Sequence, residues 1–150
     1  MRMLVDSNVL VQSVEAHSEG HADASFFMGS LLQASQPWCL TWTNVYEFLR
    51  LMTHPAVFRK PLTWVDAARL ARGFVAHPNV EVLAETARHL EVLDQVARAA
   101  GGASGNFVHD CHIAALMVEH DVKHIVTGDT HFRRFGLFKV WTPREALKAR

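Results

Sequence analysis

The sequence has 150 residues, 15 basic and 15 acidic, a formal net charge of zero, and is 49% hydrophobic and 20% charged. That length favours one domain with one substantial core, and the composition is that of an ordinary soluble globular chain. The charge balance excludes attraction of a polyanion by a global field, so such a partner needs a local basic patch. No apolar run approaches the roughly 20 residues of a membrane span, and the N-terminus carries no apolar secretory core, so a cytoplasmic protein without a membrane partner is expected.

In chain order, Met3–Val5 reads as a short buried strand with Asp6 at its end. Ala24, Phe27, Met28 and Leu31 follow i, i+3, i+4, i+7 spacing, which predicts a helix. Cys39–Trp42 is a second predicted strand, and Val45, Phe48, Leu49 and Met52 form the stripe of the helix after it. Thr63, after Pro61, fits the N-cap of a helix carrying Ala67, Leu70, Ala71 and Phe74. Val80–Leu83 is a third strand. A helix over 86–99 carries Leu90, Leu93 and Ala97 and stops at Gly101. The run GGASG (101–105) lacks a Gly-Lys-Ser/Thr ending and reads as a connector rather than a P-loop. A helix with Asp110, Ile113, Ala114 and Met117 on one stripe leads into strand His124–Thr127, and Leu137–Trp141 closes the series. Strands alternating with helices predict a parallel sheet covered on both faces, without internal repeats. Cys39 and Cys111 lack metal-type spacing and are expected to be buried thiols.

Four acids share one end of this sheet. In an open parallel sheet ligands bind beyond the carboxyl ends of the strands. Asp6 follows strand one, Asp129 follows strand four, Glu47 lies early in the helix after strand two, and Asp110 lies early in the helix leading to strand four. Each has an ordinary structural alternative. Asp6 suits a turn or cap, Asp129 an N-cap, and Glu47 a capping box with Asn44. Asp110 is hardest to explain this way, because a carboxylate on an apolar stripe must be paired, protonated or metal-bound. Carboxylates crowded at one sheet end raise one another's pKa, and a divalent cation relieves that repulsion. All-oxygen ligation favours Mg²⁺ or Mn²⁺ and suits phosphodiester hydrolysis.

The ordered set LVDSNVL, TWTNVYEFLRL, HDCHIAAL and TGDTHF resembles the four acidic motifs of PIN-domain ribonucleases. FLRLMTHPAVFRKPLTWVDA and GLFKVWTP resemble the VapC toxins of VapBC toxin–antitoxin systems, and the likeness runs from about residue 3 to about residue 143. The resemblance implies a single PIN domain over 1–150: a three-layer α/β/α sandwich around a parallel sheet of order 3-2-1-4-5, which brings Asp6 and Asp129 together. It implies a metal-dependent endoribonuclease, the toxin of a type II system, using Mg²⁺ or Mn²⁺. Its expected partners are structured RNA such as tRNA or rRNA, a VapB-type antitoxin, and a second copy in a homodimer. Carried over by motif, Asp6 and Asp110 are metal ligands, Glu47 and Asp129 complete the catalytic pocket, and Asn8 and Thr127 orient the acids or metal-bound waters.

Arg133 and Arg134 are candidate phosphate contacts at the mouth of the pocket, with a solvated helix end as the alternative; Arg50, Arg59 and Lys60 share that ambiguity. His109, His112, His120, His124 and His131 cluster in sequence, but a zinc site needs three or four convergent ligands, and His120 and His124 cross from helix end to strand and so are not a helical pair. Trp38, Trp42, Trp64 and Trp141 are expected in the core or at an interface. Two rival functions remain at this level. A haloacid-dehalogenase-like phosphatase requires Asp-x-Asp after strand one, where this chain has Asp6-Ser7-Asn8. A catalytically silent PIN-fold binding module gives no reason to keep four repelling carboxylates.

Overall fold

A computed structural model describes residues 1–149; Arg150 lies outside the described residues. Five parallel strands form one sheet in the order β3-β2-β1-β4-β5. They are β1 (Met3–Val5), β2 (Trp38–Thr41), β3 (Val80–Leu83), β4 (His124–Val126) and β5 (Lys139–Trp141). The helices are α1 (Ser7–Val14), α2 (His21–Gln33), α3 (Trp42–Met52), α4 (Trp64–Val75), α5 (His89–Ala99), α6 (Phe107–Glu119) and α7 (Pro143–Lys148).

The alternation of side chains along each strand builds two cores. Met3, Val5, Trp38, Leu40 and Val126 point to the layer of α1, α2, α3, α4 and α7. Leu4, Cys39, Leu83 and Ile125 point to the layer of α5 and α6. The fold is thus a three-layer α/β/α sandwich, with β1 buried along its whole length because both faces are covered. Cys39 and Cys111 are free, buried thiols, as expected, and burial pushes the Cys39 thiol up to about 11.

Several local expectations need correction. Strand β2 runs one residue earlier than 39–42, because the Thr41 hydroxyl already caps α3 by accepting from the Asn44 N–H at 3.2 Å. The capping box is therefore Thr41 with Asn44, not Asn44 with Glu47. Strand β4 ends at Val126, leaving Thr127 beyond the ladder, and β5 starts only at Lys139. Two helices, not one, join β1 to β2, since α1 begins directly after Asp6. A six-residue 3-10 helix, Thr130–Phe135, takes the place of an α-helix between β4 and β5. Helix α5 begins at His89 and buries Val92 and Val96, while Leu90 is 78% exposed. Of the tryptophans expected in the core or at an interface, Trp38 lies in the core, and Trp42 and Trp64 are exposed, as the interface alternative requires. The caps at Thr63 and after α5, where Gly101 has φ +86°, are as expected.

Candidate active site

Asp6 sits at the carboxyl end of the central strand. Its N–H donates to the Val126 carbonyl at 3.0 Å, which continues the β1–β4 pairing one step past the strand. Its side chain caps α1, Oδ1 accepting from the Ser7 N–H at 2.8 Å. Asn44 Nδ2 donates to the same oxygen at 3.2 Å, and the Thr127 hydroxyl donates to Oδ2 at 2.8 Å. The carboxylate is thus held from three elements: its own helix, α3, and the end of β4. Burial nevertheless lifts its pKa above the usual range, the bonds from Thr127 and Ser7 oppose that lift, and the charge of Asp129 adds to it.

Asp110, in the first turn of α6, is half-buried, and its carboxyl is raised to about 6. Burial is the main cause, the charges of Asp6 and Asp129 add to it, and His131 and His109 oppose it. Asp129 caps the 3-10 helix, Oδ1 accepting from the His131 N–H at 2.8 Å, while Oδ2 lies 3.2 Å from His131 Nδ1. One ligand atom from each of Asp110, Asp129 and His131 lies within 4.8 Å of the others.

Asn8 and Thr127 tie this loop to α1. Asn8 Nδ2 donates to Thr127 Oγ1 at 3.1 Å, and Asn8 Oδ1 accepts from the Gly128 N–H at 3.0 Å. Thr127 Oγ1 also accepts from the Asp129 N–H at 3.0 Å, so one hydroxyl joins Asp6, Asn8 and the Asp129 backbone. Glu47 stands apart from this network. Its carboxylate makes a two-pronged pair with Arg50, Oε1 to Nη2 at 2.7 Å and Oε2 to Nε at 3.1 Å. Arg134 donates to the Ala100 carbonyl at 3.2 Å and lies 3.9 Å above the Phe107 ring, lining a cleft with Gly101, Gly102 and Ser104. Arg133 is exposed nearby. Sequence reasoning missed two participants. Asn44 fits a cap in the sequence, and only the sheet order brings its amide to Asp6. His131 was one histidine among several, although its position two residues after Asp129 places both on one turn.

The family model for the PIN domain matches residues 3–137. This chain belongs to the PIN-domain family. Among its relatives, Ribonuclease VapC37 of Mycobacterium tuberculosis is 32% identical over 132 residues, covering 88% of this chain and 90% of the relative. Ribonuclease VapC33 of the same species is 30% identical over 144 residues, covering 93% and 96%. Solved PIN-fold structures agree in architecture. The M. tuberculosis toxin VapC20, described as cleaving the sarcin-ricin loop, superposes with a TM-score of 0.68 at 16% identity, covering 93% of this chain and 98% of that one. The Rickettsia felis VapBC2 complex, bound to a promoter DNA fragment, gives 0.64 at 14% identity, covering 95% and 98%.

The acids of this PIN domain fit a hard divalent cation. Among the described residues neither Asp6 nor Asp110 pairs with a lysine or arginine. Two carboxyls are therefore held above their normal pKa with no lysine or arginine paired to them. Carboxylate oxygens are the donors Mg²⁺ and Mn²⁺ favour, and a carboxylate retains lone pairs after accepting two or three hydrogen bonds.

Proposed function

We propose that this PIN domain, read as one unit over the whole chain, is a metal-dependent endoribonuclease and the toxin of a type II toxin–antitoxin pair. The observation that carries the reading is the convergence of Asp6, Asp110 and Asp129, drawn from three separate elements, with mutual repulsion that no lysine or arginine relieves. These three carboxylates would hold Mg²⁺ or Mn²⁺, and Glu47 would complete the set on leaving Arg50 or through water. When bound, the ion would polarise the scissile phosphate and lower the pKa of a water molecule.

The chain's own groups then orient and bind. Ser7, Asn44 and Thr127 fix the Asp6 carboxylate before substrate arrives, so no reorganisation is needed at the moment of reaction. Asn8 holds the Gly128–Asp129 turn against α1. Arg134, pre-oriented by Phe107 and the Ala100 carbonyl, and Arg133 would receive RNA phosphates at the rim. Structured RNA, tRNA or rRNA, is the proposed substrate. The VapBC complexes among the structural neighbours support a VapB-type antitoxin as partner. A homodimer is proposed with it.

The test is cleavage of total cellular RNA by purified, antitoxin-free protein with Mg²⁺, with Mn²⁺ and with EDTA, beside Asp6→Asn and Asp110→Asn. Metal-dependent fragments that vanish in both folded variants are expected. Absence of cleavage by folded protein across several RNA classes would instead favour a silent binding module.

A further inference from the structure

A second cluster of metal-binding side chains, sharing no residue with the strand-end acids, joins α6 to the β3–α5 connection. One ring nitrogen each of His89 and His112 and one oxygen of Glu85 lie within 4.8 Å of one another. His89 is the first residue of α5, His112 is on α6, and Glu85 is in the connection after β3. The two imidazoles meet edge to face with centroids 5.2 Å apart.

Each imidazole has a partner that fixes its orientation. Glu119, whose side chain is 1% exposed, faces Nδ1 of His89 at 2.7 Å. Its other oxygen accepts from the Thr86 N–H at 2.9 Å and the Thr86 hydroxyl at 2.7 Å. A carboxylate so bonded accepts the Nδ1 proton of His89 and leaves the lone pair on Nε2, which has no hydrogen-bond partner among the described residues. His112 has Thr43 Oγ1 2.9 Å from Nδ1 and Glu85 Oε1 2.6 Å from Nε2. With Nδ1–H donated to Thr43, Nε2 becomes free for a metal, and Glu85 then stands beside it as a second ligand.

We propose that Glu85, His89 and His112 bind a divalent transition-metal ion of the zinc class, with Glu119 and Thr43 as the outer partners that orient the two imidazoles. Two imidazoles and one carboxylate suit Zn²⁺ and leave a fourth position for water. A carboxylate or hydroxyl on the far nitrogen of a ligating histidine is the usual second layer of such sites. Tetrahedral Zn²⁺ sets its ligand atoms roughly 3.4 Å apart, so the His112–Glu85 pair, now at 2.6 Å, must open to admit the ion. Glu85, 50% exposed and outside regular structure, is free to move the required distance. The ion would clamp the β3–α5 connection and the start of α5 to α6, the helix that also carries Asp110.

The experiment is Zn²⁺ titration of the full chain by calorimetry, with Co²⁺ substitution read by visible absorption. The variants are Glu85→Gln, His89→Gln, Glu119→Gln and the double substitution Asp6→Asn/Asp110→Asn, each checked by circular dichroism. Binding of one Zn²⁺ per chain is expected to survive in the double variant. Glu85→Gln and His89→Gln should each weaken it at least about tenfold, and Glu119→Gln about 10- to 100-fold. The Co²⁺ form should show the intense bands of a four- or five-coordinate ion, lost in Glu85→Gln. Glu85 is half-exposed, so that variant keeps the test decisive if a buried one fails to fold. Stoichiometric binding absent in the parent chain, or abolished in the double variant and unchanged in Glu85→Gln, would overturn the proposal.

Discussion

At the scale of single residues, the pKa of Asp110 makes the metal-free protein sensitive to pH. Burial, then Asp6 and Asp129, hold this carboxyl at about 6 against an ordinary 3.8. Between those values the folded chain binds more protons than the unfolded one, so stability falls as pH rises through the window and is lowest above it. In EDTA the melting temperature at about pH 5 should exceed that at about pH 7. Asp110→Asn should remove the Asp110 share of the difference, leaving what the raised Asp6 carboxyl adds, and stabilise the metal-free chain at the higher pH by about 1–3 kcal/mol, as calorimetry would measure. Arg134 carries a different expectation. If it receives a phosphate, Arg134→Ala should weaken RNA binding and reduce by about one the slope of log affinity against log salt; an unchanged slope would leave it only its roles on Phe107 and Ala100. Three acids could be picked out as residues because Asp6 ends a strand, Asp110 breaks an apolar stripe, and Asp129 follows a strand closely. The state of Glu47 could not: Arg50 is three positions on, a spacing that permits an ion pair on any helix and requires none.

At the scale of elements, α3 shows one residue serving fold and pocket together. Asn44 Oδ1 accepts from the Thr41 N–H at 3.0 Å and the Thr41 hydroxyl at 2.7 Å, while its Nδ2 reaches Asp6. Asn44→Ala should cost about 1–3 kcal/mol in urea unfolding and should also lower cleavage, because Asp6 loses a fixed donor. A change that affected stability alone would separate the cap from the pocket. Strong periodicity made most helices legible. Helix α5 shows the limit of that signal: Val92 and Val96 are its buried stripe, Leu93 and Ala97 pack beside them, and Leu90 faces solvent, a choice made by the position of α5 over the sheet. Helix α1 was missed for another reason. It is eight residues long and starts without a linker, so Asp6-Ser7-Asn8 reads equally well as a turn.

For the whole molecule, the order 3-2-1-4-5 puts β1 between β2 and β4 and so brings together groups far apart in the chain. The alternation of strands and helices predicts a parallel sheet but does not say which strands are neighbours; that came from the family resemblance. Because a metal ion would bind only the assembled pocket, it should stabilise the whole fold. Mg²⁺ at about a hundred times its dissociation constant should add about 2.7 kcal/mol, removable by EDTA and absent in Asp6→Asn. A melting temperature indifferent to Mg²⁺ in the parent chain would count against these acids as its ligands.

The bond from Thr127 to Asp6 spans 121 positions. During synthesis Asp6 leaves the ribosome more than 100 residues before its neighbours Asp110 and Asp129. A nascent or truncated chain that stops before β4 has no partner for that side of β1 and cannot assemble the pocket. Such long-range closure is also slow to form. A ribosome making this protein therefore carries no assembled pocket until β4 and the turn after it have emerged, so the acid cluster forms as a late and single event rather than piece by piece.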